Sequence, residues 1–368
     1  SPPGTRSSAH RWIIARRCES AEIDPSKVTV VQLLYSEAEL MADHPDLSPH
    51  VILDQRVHGG IDARGVYQPP RALVREQALD AWAQALCERG GDVFDADSSL
   101  LAGTRAVSVE QQRVLLRNGL GRWFWDQLTI TGKIEARGRL LADITFPDLQ
   151  PVIVEDISEM AIGHLGGGLL LAHGLDEGGQ PELGIGGHDV MWFLARDLAF
   201  GADAYPDVEP PENIGRPDAG TRSMPELPPE IEGLVSLLAN LLIIEFRAEL
   251  GFAEAQEILR SPDVFVGNRD DAELAAEIIE RIRTDELIHV RSLCVYLGEL
   301  QSVHFRTADG ATVSGRELFG RFWDGMVEWA TVEQPRLNAE RVRQDLDDYV
   351  ATHPEAARVR AEIAAAAD

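Results

Sequence analysis

The clearest alternation of apolar and polar positions lies in two long stretches of the second half of the chain. Apolar side chains recur there every three to four residues over 230–259 and 270–303, which is typical of α-helices that bury one face. Weaker patterns of the same period predict four further helices, at 71–89, 109–129, 152–172 and 188–200. The chain is therefore predicted to be mainly α-helical.

The segments between these helices contain a few other predicted elements. Residues 303–313 predict a small β-hairpin that turns at an Asp-Gly pair. Residues 28–35 fit either a strand or a short helix, whereas 44–70 has scattered proline and glycine and is predicted to be rich in loops. Residues 205–229 contain seven prolines, which exclude a helix there and favour a long crossover over the surface.

These patterns divide the chain into three parts. We expect an N-terminal extension of mixed or loop-rich structure at 1–100, a helical bundle at 101–303, and the hairpin with C-terminal helices at 304–368. Apolar residues make up 44% of the chain and charged residues 26%, which is typical of a folded globular protein.

Composition narrows the classes of partner. The chain has 34 Lys and Arg against 61 Asp and Glu, a formal net charge of −27, which argues against a nucleic-acid partner. Its longest apolar segment, 234–244, is about half as long as a membrane span. The cysteines at 18, 87 and 294 form no C-x-x-C pair, and the apolar run 12–15 is too short for a secretory signal. We therefore expect a cytoplasmic protein without a membrane partner.

The strongest candidate for chemistry is Asp285-Glu286-x-x-His289. On a helix, Glu286 and His289 lie one turn apart within an apolar stripe. A buried, unpaired carboxylate costs several kcal/mol, and a cation bound by both side chains would offset that cost. Glu245 also faces the core of its helix and precedes Glu286 by 41 residues, enough for an antiparallel return. Asp285, beside the ligand face, is positioned to hold the outer nitrogen of a histidine.

A lone Glu on one helix followed by D-E-x-x-H on the next resembles the second half of the ferritin-like di-iron carboxylate superfamily. This superfamily includes ribonucleotide reductase small subunits and di-iron oxygenases, and the resemblance covers about residues 105–300. It implies a four-helix bundle whose halves each supply Glu and E-x-x-H, with 205–229 as the crossover. It also implies two iron ions, or a mixed Mn/Fe pair, that activate dioxygen on a small organic substrate. An external electron donor and a homodimer are left open.

The first half of the predicted bundle contains no second E-x-x-H. Glu159 and His164 are predicted to supply its ligands, although their five-residue spacing requires a π-bulge or a break at Gly163. Asp126 and Glu155 remain alternatives in this half. The predicted metal ligands are Glu159, His164, Glu245, Glu286 and His289.

Three other functions stay compatible with the sequence. The adjacent pair His188-Asp189 fits a helical HD-type metal-dependent phosphohydrolase. Asp285 and His289 also fit the last helix of a haem-oxygenase-like di-iron oxidase, which would change the fold and keep the chemistry. A non-catalytic helical interaction protein would use its buried Glu and His only as partners for each other. Among these, the di-iron oxygenase is favoured.

Overall fold

The computed structural model describes residues 33–212, 214–216 and 222–367. These residues form eleven α-helices and two small antiparallel sheets, so the protein is mainly helical as predicted. The predicted element at 28–35 lies largely outside the described residues, as do Cys18 and the apolar run 12–15. No helix of the described part is both long and apolar enough to span a bilayer.

The N-terminal part combines two helices with a three-stranded sheet. Helix α1 (Glu37–Leu40) precedes β1 (Ser48–Ile52), β2 (Gln55–Ile61) and β3 (Tyr67–Gln68), which pair antiparallel in sequence order. Helix α2 (Ala72–Glu88) follows. The sheet lies within the segment that was expected to be rich in loops. Leu53 and Asp54 turn β1 into β2 with φ angles of 46° and 66°, and this pair lacks the glycine or asparagine that usually reveals such a turn in a sequence.

Six helices form the central part of the structure, and they are α3 (Val109–Arg117), α4 (Arg122–Gly138), α5 (Leu169–Gly178), α6 (His188–Phe200), α7 (Pro229–Leu259) and α8 (Arg269–Ser302). The predicted helix 109–129 is two helices, because Gly119 ends the first with a φ of 74°. Ser108 and Gln111 form the predicted capping box at its start. Helix α6 packs against α4 and α8, while α5 packs against α4.

The two strongest predicted helices, α7 and α8, are present and pack against each other. Side-chain contacts pair residues late in α7 with residues early in α8, as between Gln256 and Glu280 at 2.6 Å. The pair is therefore antiparallel. Each helix spans more than 30 residues, which places the middle of both deep inside the protein.

The predicted helix 152–172 is wrong over its first half. The backbone N–H of Val154 donates to the carbonyl of His304 at 2.9 Å, and that of Arg306 donates to Val152 at 2.7 Å. These bonds to the C-terminal hairpin replace the bonds that a helix would make. Residues 161–167 form a short 3₁₀ helix, and α5 begins only after Gly168, whose φ is 122°.

The crossover and the C-terminal part follow the sequence pattern more closely. In the described residues of 205–228, which contain no helix or strand, Asp207 binds Lys133 of α4 at 2.7 Å and the N–H of Arg216 donates to Asn240 of α7 at 2.9 Å. The segment therefore crosses the surface between these helices. The predicted hairpin is present as β4 (His304–Arg306) and β5 (Thr312–Ser314). Helices α9 (Gly315–Glu328), α10 (Gln334–Ala351) and α11 (Ala356–Ala365) complete the chain, with a π-helical turn between α9 and α10.

Two apolar clusters lie above and below the middle of α8. One contains Ile279 and Ile282, and the other contains Leu293 and Leu297. The segment between them carries acids and a histidine, and these side chains are buried. Polar groups at this depth need partners, since desolvating them without hydrogen bonds or a counter-charge is costly.

Candidate metal centre

Seven side chains with metal-binding atoms converge between the two apolar clusters. None is more than 6% exposed. They come from five helices, α4 to α8, and are Glu135, His173, Glu177, His188, Glu245, Glu286 and His289. They form two overlapping groups of four donors that could each hold a metal ion.

The first group, here called position 1, consists of Glu135, Glu177, His188 and Glu286. Its centre is Nδ1 of His188, which lies 3.1 Å from Oε1 of Glu286. The same nitrogen lies 3.7 Å from Oε1 of Glu177 and 3.9 Å from Oε2 of Glu135. Three carboxylates and one imidazole therefore face a common point.

The second group, position 2, consists of His173, Glu177, Glu245 and His289. Nδ1 of His289 lies 3.2 Å from Oε1 of Glu177 and 3.9 Å from Oε1 of Glu245. Nε2 of His173 lies 3.1 Å from the same oxygen of Glu245 and 3.7 Å from that of Glu177. Two carboxylates and two imidazoles face this second point.

Two glutamates connect the positions. Oε1 of Glu177 belongs to both donor groups. Glu286 directs Oε1 toward His188 at 3.1 Å and Oε2 toward His289 at 2.8 Å. A carboxylate that presents one oxygen to each side is suited to bridge two cations, so the cluster has the donor arrangement of a dinuclear centre.

An aspartate precedes each connecting glutamate and binds the outer nitrogen of a histidine. Asp176 lies 3.0 Å from Nε2 of His289 and is also held by Arg71 and Arg75. Because neutral imidazole has one N–H, an outer carboxylate that accepts it leaves Nδ1 free as a ligand.

Asp285 does the same for the histidine of position 1. Its Oδ2 lies 3.2 Å from Nε2 of His188 and 3.1 Å from Nε2 of His58 on β2, and it accepts a hydrogen bond from Tyr67 on β3 at 2.8 Å. The N-terminal sheet therefore supports the centre from outside. The role of Asp285 as a holder of a histidine is the one predicted from its place beside the ligand face.

Three of the donor atoms have no hydrogen-bond partner among the described residues. They are Oε1 of Glu177, Nδ1 of His188 and Oε1 of Glu286, all in position 1. Native structures rarely leave buried polar atoms unpaired, because the desolvation penalty is then uncompensated. A cation is the partner that would satisfy all three at once, so the residues fit a metal ion.

The pKa values of these side chains in the protein without metal also indicate that the cluster needs a cation. Burial, and then the charge of Glu177, raise the pKa of Glu135 well above its ordinary value. Burial and the charge of Glu286 do the same to the pKa of Glu245. Burial and the neighbouring His289 lower the pKa of His173 to about 3, so this imidazole is neutral and keeps a lone pair for a metal. Four glutamates this close can all ionise only if cations neutralise them.

The structure separates the five sequence-predicted ligands into two sets. Glu245, Glu286 and His289 lie together in the cluster. Glu159 is exposed, in a segment that is not helical. His164 is buried away from the cluster, where its Nε2 accepts the backbone N–H of Tyr35 at 3.1 Å and its Nδ1 lies 2.7 Å from the carbonyl oxygen of Met160. Both of its nitrogens are therefore occupied.

The two alternative acids of the first half also have other partners. Asp126 pairs with Arg122 at 3.4 Å, one helical turn away on α4. Glu155 pairs with His304 of the hairpin at 2.7 Å. Neither is a member of the donor groups.

The sequence pattern did not indicate Glu135, His173 or Glu177, and it indicated His188 only in the HD-type alternative. One signal was available: Asp176-Glu177 repeats the Asp-Glu pair that precedes His289. The histidine that completes it, His188, follows Glu177 by eleven residues instead of three, which hides the relation.

The chain between Glu177 and His188 forms a loop whose two ends lie close together, an approach here called the neck. This approach brings the two residues to the same ion position. The loop 179–187 leaves α5 and returns to start α6, with Gln180 and Ile185 paired across it. At its base a Cβ atom on Gly187 would lie 2.3 Å from the backbone nitrogen of Gly179 and 2.6 Å from the carbonyl oxygen of Glu177. Glycine at both of these positions allows the two ends of the loop to approach this closely, because glycine has no Cβ atom.

The chain matches no protein-family model, no curated protein and no solved structure. The site and fold define a mainly helical protein with buried histidine and carboxylate clusters that could hold metal. Any functional assignment therefore rests on the geometry of this centre.

Proposed function

We propose that this protein is a di-iron carboxylate oxidoreductase that activates dioxygen on a small organic substrate. The observation that supports this most directly is the pair of donor groups joined by Glu177 and Glu286. Isolated buried ion pairs would explain one glutamate and one histidine, whereas two adjoining donor groups with unpaired ligand atoms fit two cations.

The donor set favours iron. Carboxylate oxygens are hard ligands and imidazole nitrogens are borderline, a combination that suits Fe(II) and leaves room for open coordination positions. Two ferrous ions would supply the electrons for reduction of dioxygen. The four glutamates carry a formal charge of −4, which two divalent cations neutralise, while Arg71 and Arg75 both pair with the outer aspartate Asp176. A mixed Mn/Fe pair fits the same charge.

The residues of the chain hold and isolate the centre. Asp176 and Asp285 fix the ring orientation of His289 and His188 through their outer nitrogens. The apolar clusters on either side keep bulk water from the donor atoms, which strengthens electrostatic interactions within the centre. The proposal includes a small organic substrate, and it leaves an external electron donor and a homodimer open.

The order of the ligands along the chain supports a ferritin-like arrangement. Helix α4 supplies Glu135, the pair α5 and α6 supplies Glu177 and His188, α7 supplies Glu245, and α8 supplies Glu286 with His289. This is Glu, Glu with His, Glu, Glu with His, as in that superfamily. One departure is the loop 179–187, which interrupts the second ligand-bearing helix, and another is His173, an additional imidazole on α5.

The rival functions have less support. An HD-type phosphohydrolase needs the adjacent His188 and Asp189 to bind metal together, but Asp189 accepts the backbone N–H of Val190 at 2.7 Å and is not a member of the donor groups. A non-catalytic pairing of buried Glu and His does not account for the unpaired atoms of Glu177 and Glu286.

Anaerobic loading with Fe(II) followed by exposure to oxygen tests the proposal. The loaded wild-type protein should consume dioxygen and convert its iron to Fe(III), as followed by an oxygen electrode and Mössbauer spectroscopy. His188→Gln should bind less iron and consume less oxygen, whereas His164→Gln should match the wild type, since His164 is an equally buried histidine outside the cluster. Iron that stays ferrous in air, or a wild type that binds no iron, would overturn the proposal.

A further inference from the structure

The two donor groups differ in their chemistry. Position 1 offers three carboxylates and one imidazole, whereas position 2 offers two carboxylates and two imidazoles. The additional imidazole is His173, one helical turn before Glu177 on α5. A symmetrical centre would need only one histidine and one unshared glutamate at each position. His173 therefore makes position 2 different from position 1.

His173 is held in place by its surroundings. Its ring stacks on that of His289, with 3.9 Å between the ring centroids and 12° between their planes. Its Nε2 lies 3.1 Å from Oε1 of Glu245. The side chain is only 4% exposed, so its ring has little freedom to leave this position.

Four of the six distances among the donors of position 2 lie in the range expected around a single bound ion. Around the cycle His173, Glu245, His289, Glu177, neighbouring donor atoms are 3.1, 3.9, 3.2 and 3.7 Å apart. Metal–ligand bonds of about 2.1 Å give a tetrahedron an edge of about 3.4 Å, which lies within this range. Position 1 shows the same range, since its three carboxylates lie 3.1, 3.7 and 3.9 Å from Nδ1 of His188, so the two positions differ in donor chemistry and not in spacing.

We propose that the two positions are unequal, and that the second imidazole, from His173, makes position 2 the higher-affinity position that is filled first. Imidazole nitrogen binds borderline divalent cations such as Co(II) and Fe(II) more strongly than carboxylate oxygen alone does. The inference rests on the proposed dinuclear centre and adds an order of filling to it. The protein then passes through a state with one ion before the second position is occupied.

Titration of the metal-free protein with Co(II), followed by calorimetry and by the visible absorption of bound Co(II), tests the order, because that absorption depends on the donors that surround the ion. The first equivalent should bind more tightly than the second and should give a different spectrum. In His173→Gln the spectrum of the first equivalent should change and the first dissociation constant should rise by about tenfold or more. Glu135→Gln should keep the first step and lose the second.

The possible results separate this inference from the proposed function. Two equivalents that bind with the same affinity and the same spectrum would overturn the unequal filling and leave the dinuclear centre standing. An unchanged first step in His173→Gln would also overturn it. A wild type that binds no Co(II) would overturn both. The wild-type titration decides the order even if the His173 variant does not fold.

Discussion

Replacing Glu245 with Gln should destabilise the protein only when metal is present. Without metal, burial and the charge of Glu286 raise the pKa of Glu245 well above its ordinary value, which favours the protonated, neutral form of its carboxyl group. Gln has the same shape and is also neutral, so we expect a change of less than about 1 kcal/mol in the metal-free free energy of unfolding. In the proposed metal-bound state, Glu245 would be an ionised ligand of position 2.

The cost with metal follows from binding linkage. An ion present at one hundred times its dissociation constant stabilises the folded state by about 2.7 kcal/mol. Glu245→Gln should lose most of this amount, which corresponds to a melting temperature lower by about 3 °C for a chain of this size. Glu135→Gln should behave in the same way through position 1, because burial and Glu177 raise its pKa too.

Thermal unfolding of each variant, with and without Fe(II) under anaerobic conditions, measures both effects. Glu159→Gln is the matched control, since Glu159 is exposed and outside the donor groups, and it should change neither curve. A loss of stability that is equal with and without metal would mean that Glu245 serves as a structural partner, and the reasoning would be refuted.

Three further predictions concern the close approach of Gly187 to Gly179, the contact of Asp176 with His289, and the buried acid Glu299. Gly187→Ala places a Cβ atom 2.3 Å from the nitrogen of Gly179, so elemental analysis should find the ion of position 1 lost, whereas Gly233→Ala, in open space, should keep both ions. Asp176→Asn should weaken metal binding by about tenfold or more in equilibrium dialysis, and an unchanged affinity would contradict its role in orienting His289. Burial raises the pKa of Glu299 from 4.5 to about 7, so between these pH values the folded state keeps a proton that the unfolded state has released. The stability that this difference contributes is present below about pH 4.5 and is lost as the pH rises to about 7. Urea unfolding should therefore show a smaller fall of stability across this range in Glu299→Gln, and an equal fall in both proteins would refute the assignment.

The second half of the centre could be predicted from the sequence because its helices are long and periodic. Helices α7 and α8 each keep their apolar period for more than eight turns, so the faces of Glu245 and Glu286 follow from counting. The same count places His289 one turn from Glu286 on the same face. Local pattern and tertiary packing agree in this half.

The first half could not be predicted in this way because its ligands lie on short elements. Glu177 lies at the end of a helix of only 10 residues, and His188 is the first residue of the next helix, which follows after a loop. A search for E-x-x-H assumes a continuous helix, and the neck at Gly187 breaks that assumption. Glu135 sits on α4 without a pattern that distinguishes it from other acids.

The candidates chosen instead, Glu159 and His164, depended on a helix that long-range bonds prevent. The hairpin strand at His304 takes the backbone hydrogen bonds of residues 152–154, and it follows them by about 150 positions. A period measured over a window of 20 residues contains no information about such a partner.

Anomalous X-ray diffraction at the iron edge, from crystals of the Fe(II)-loaded protein, tests the central claim most directly. We predict two peaks, one among Glu135, Glu177, His188 and Glu286 and the other among His173, Glu177, Glu245 and His289. A single peak, peaks outside these side chains, or no peak in crystals soaked with excess Fe(II) would contradict a dinuclear centre at this place.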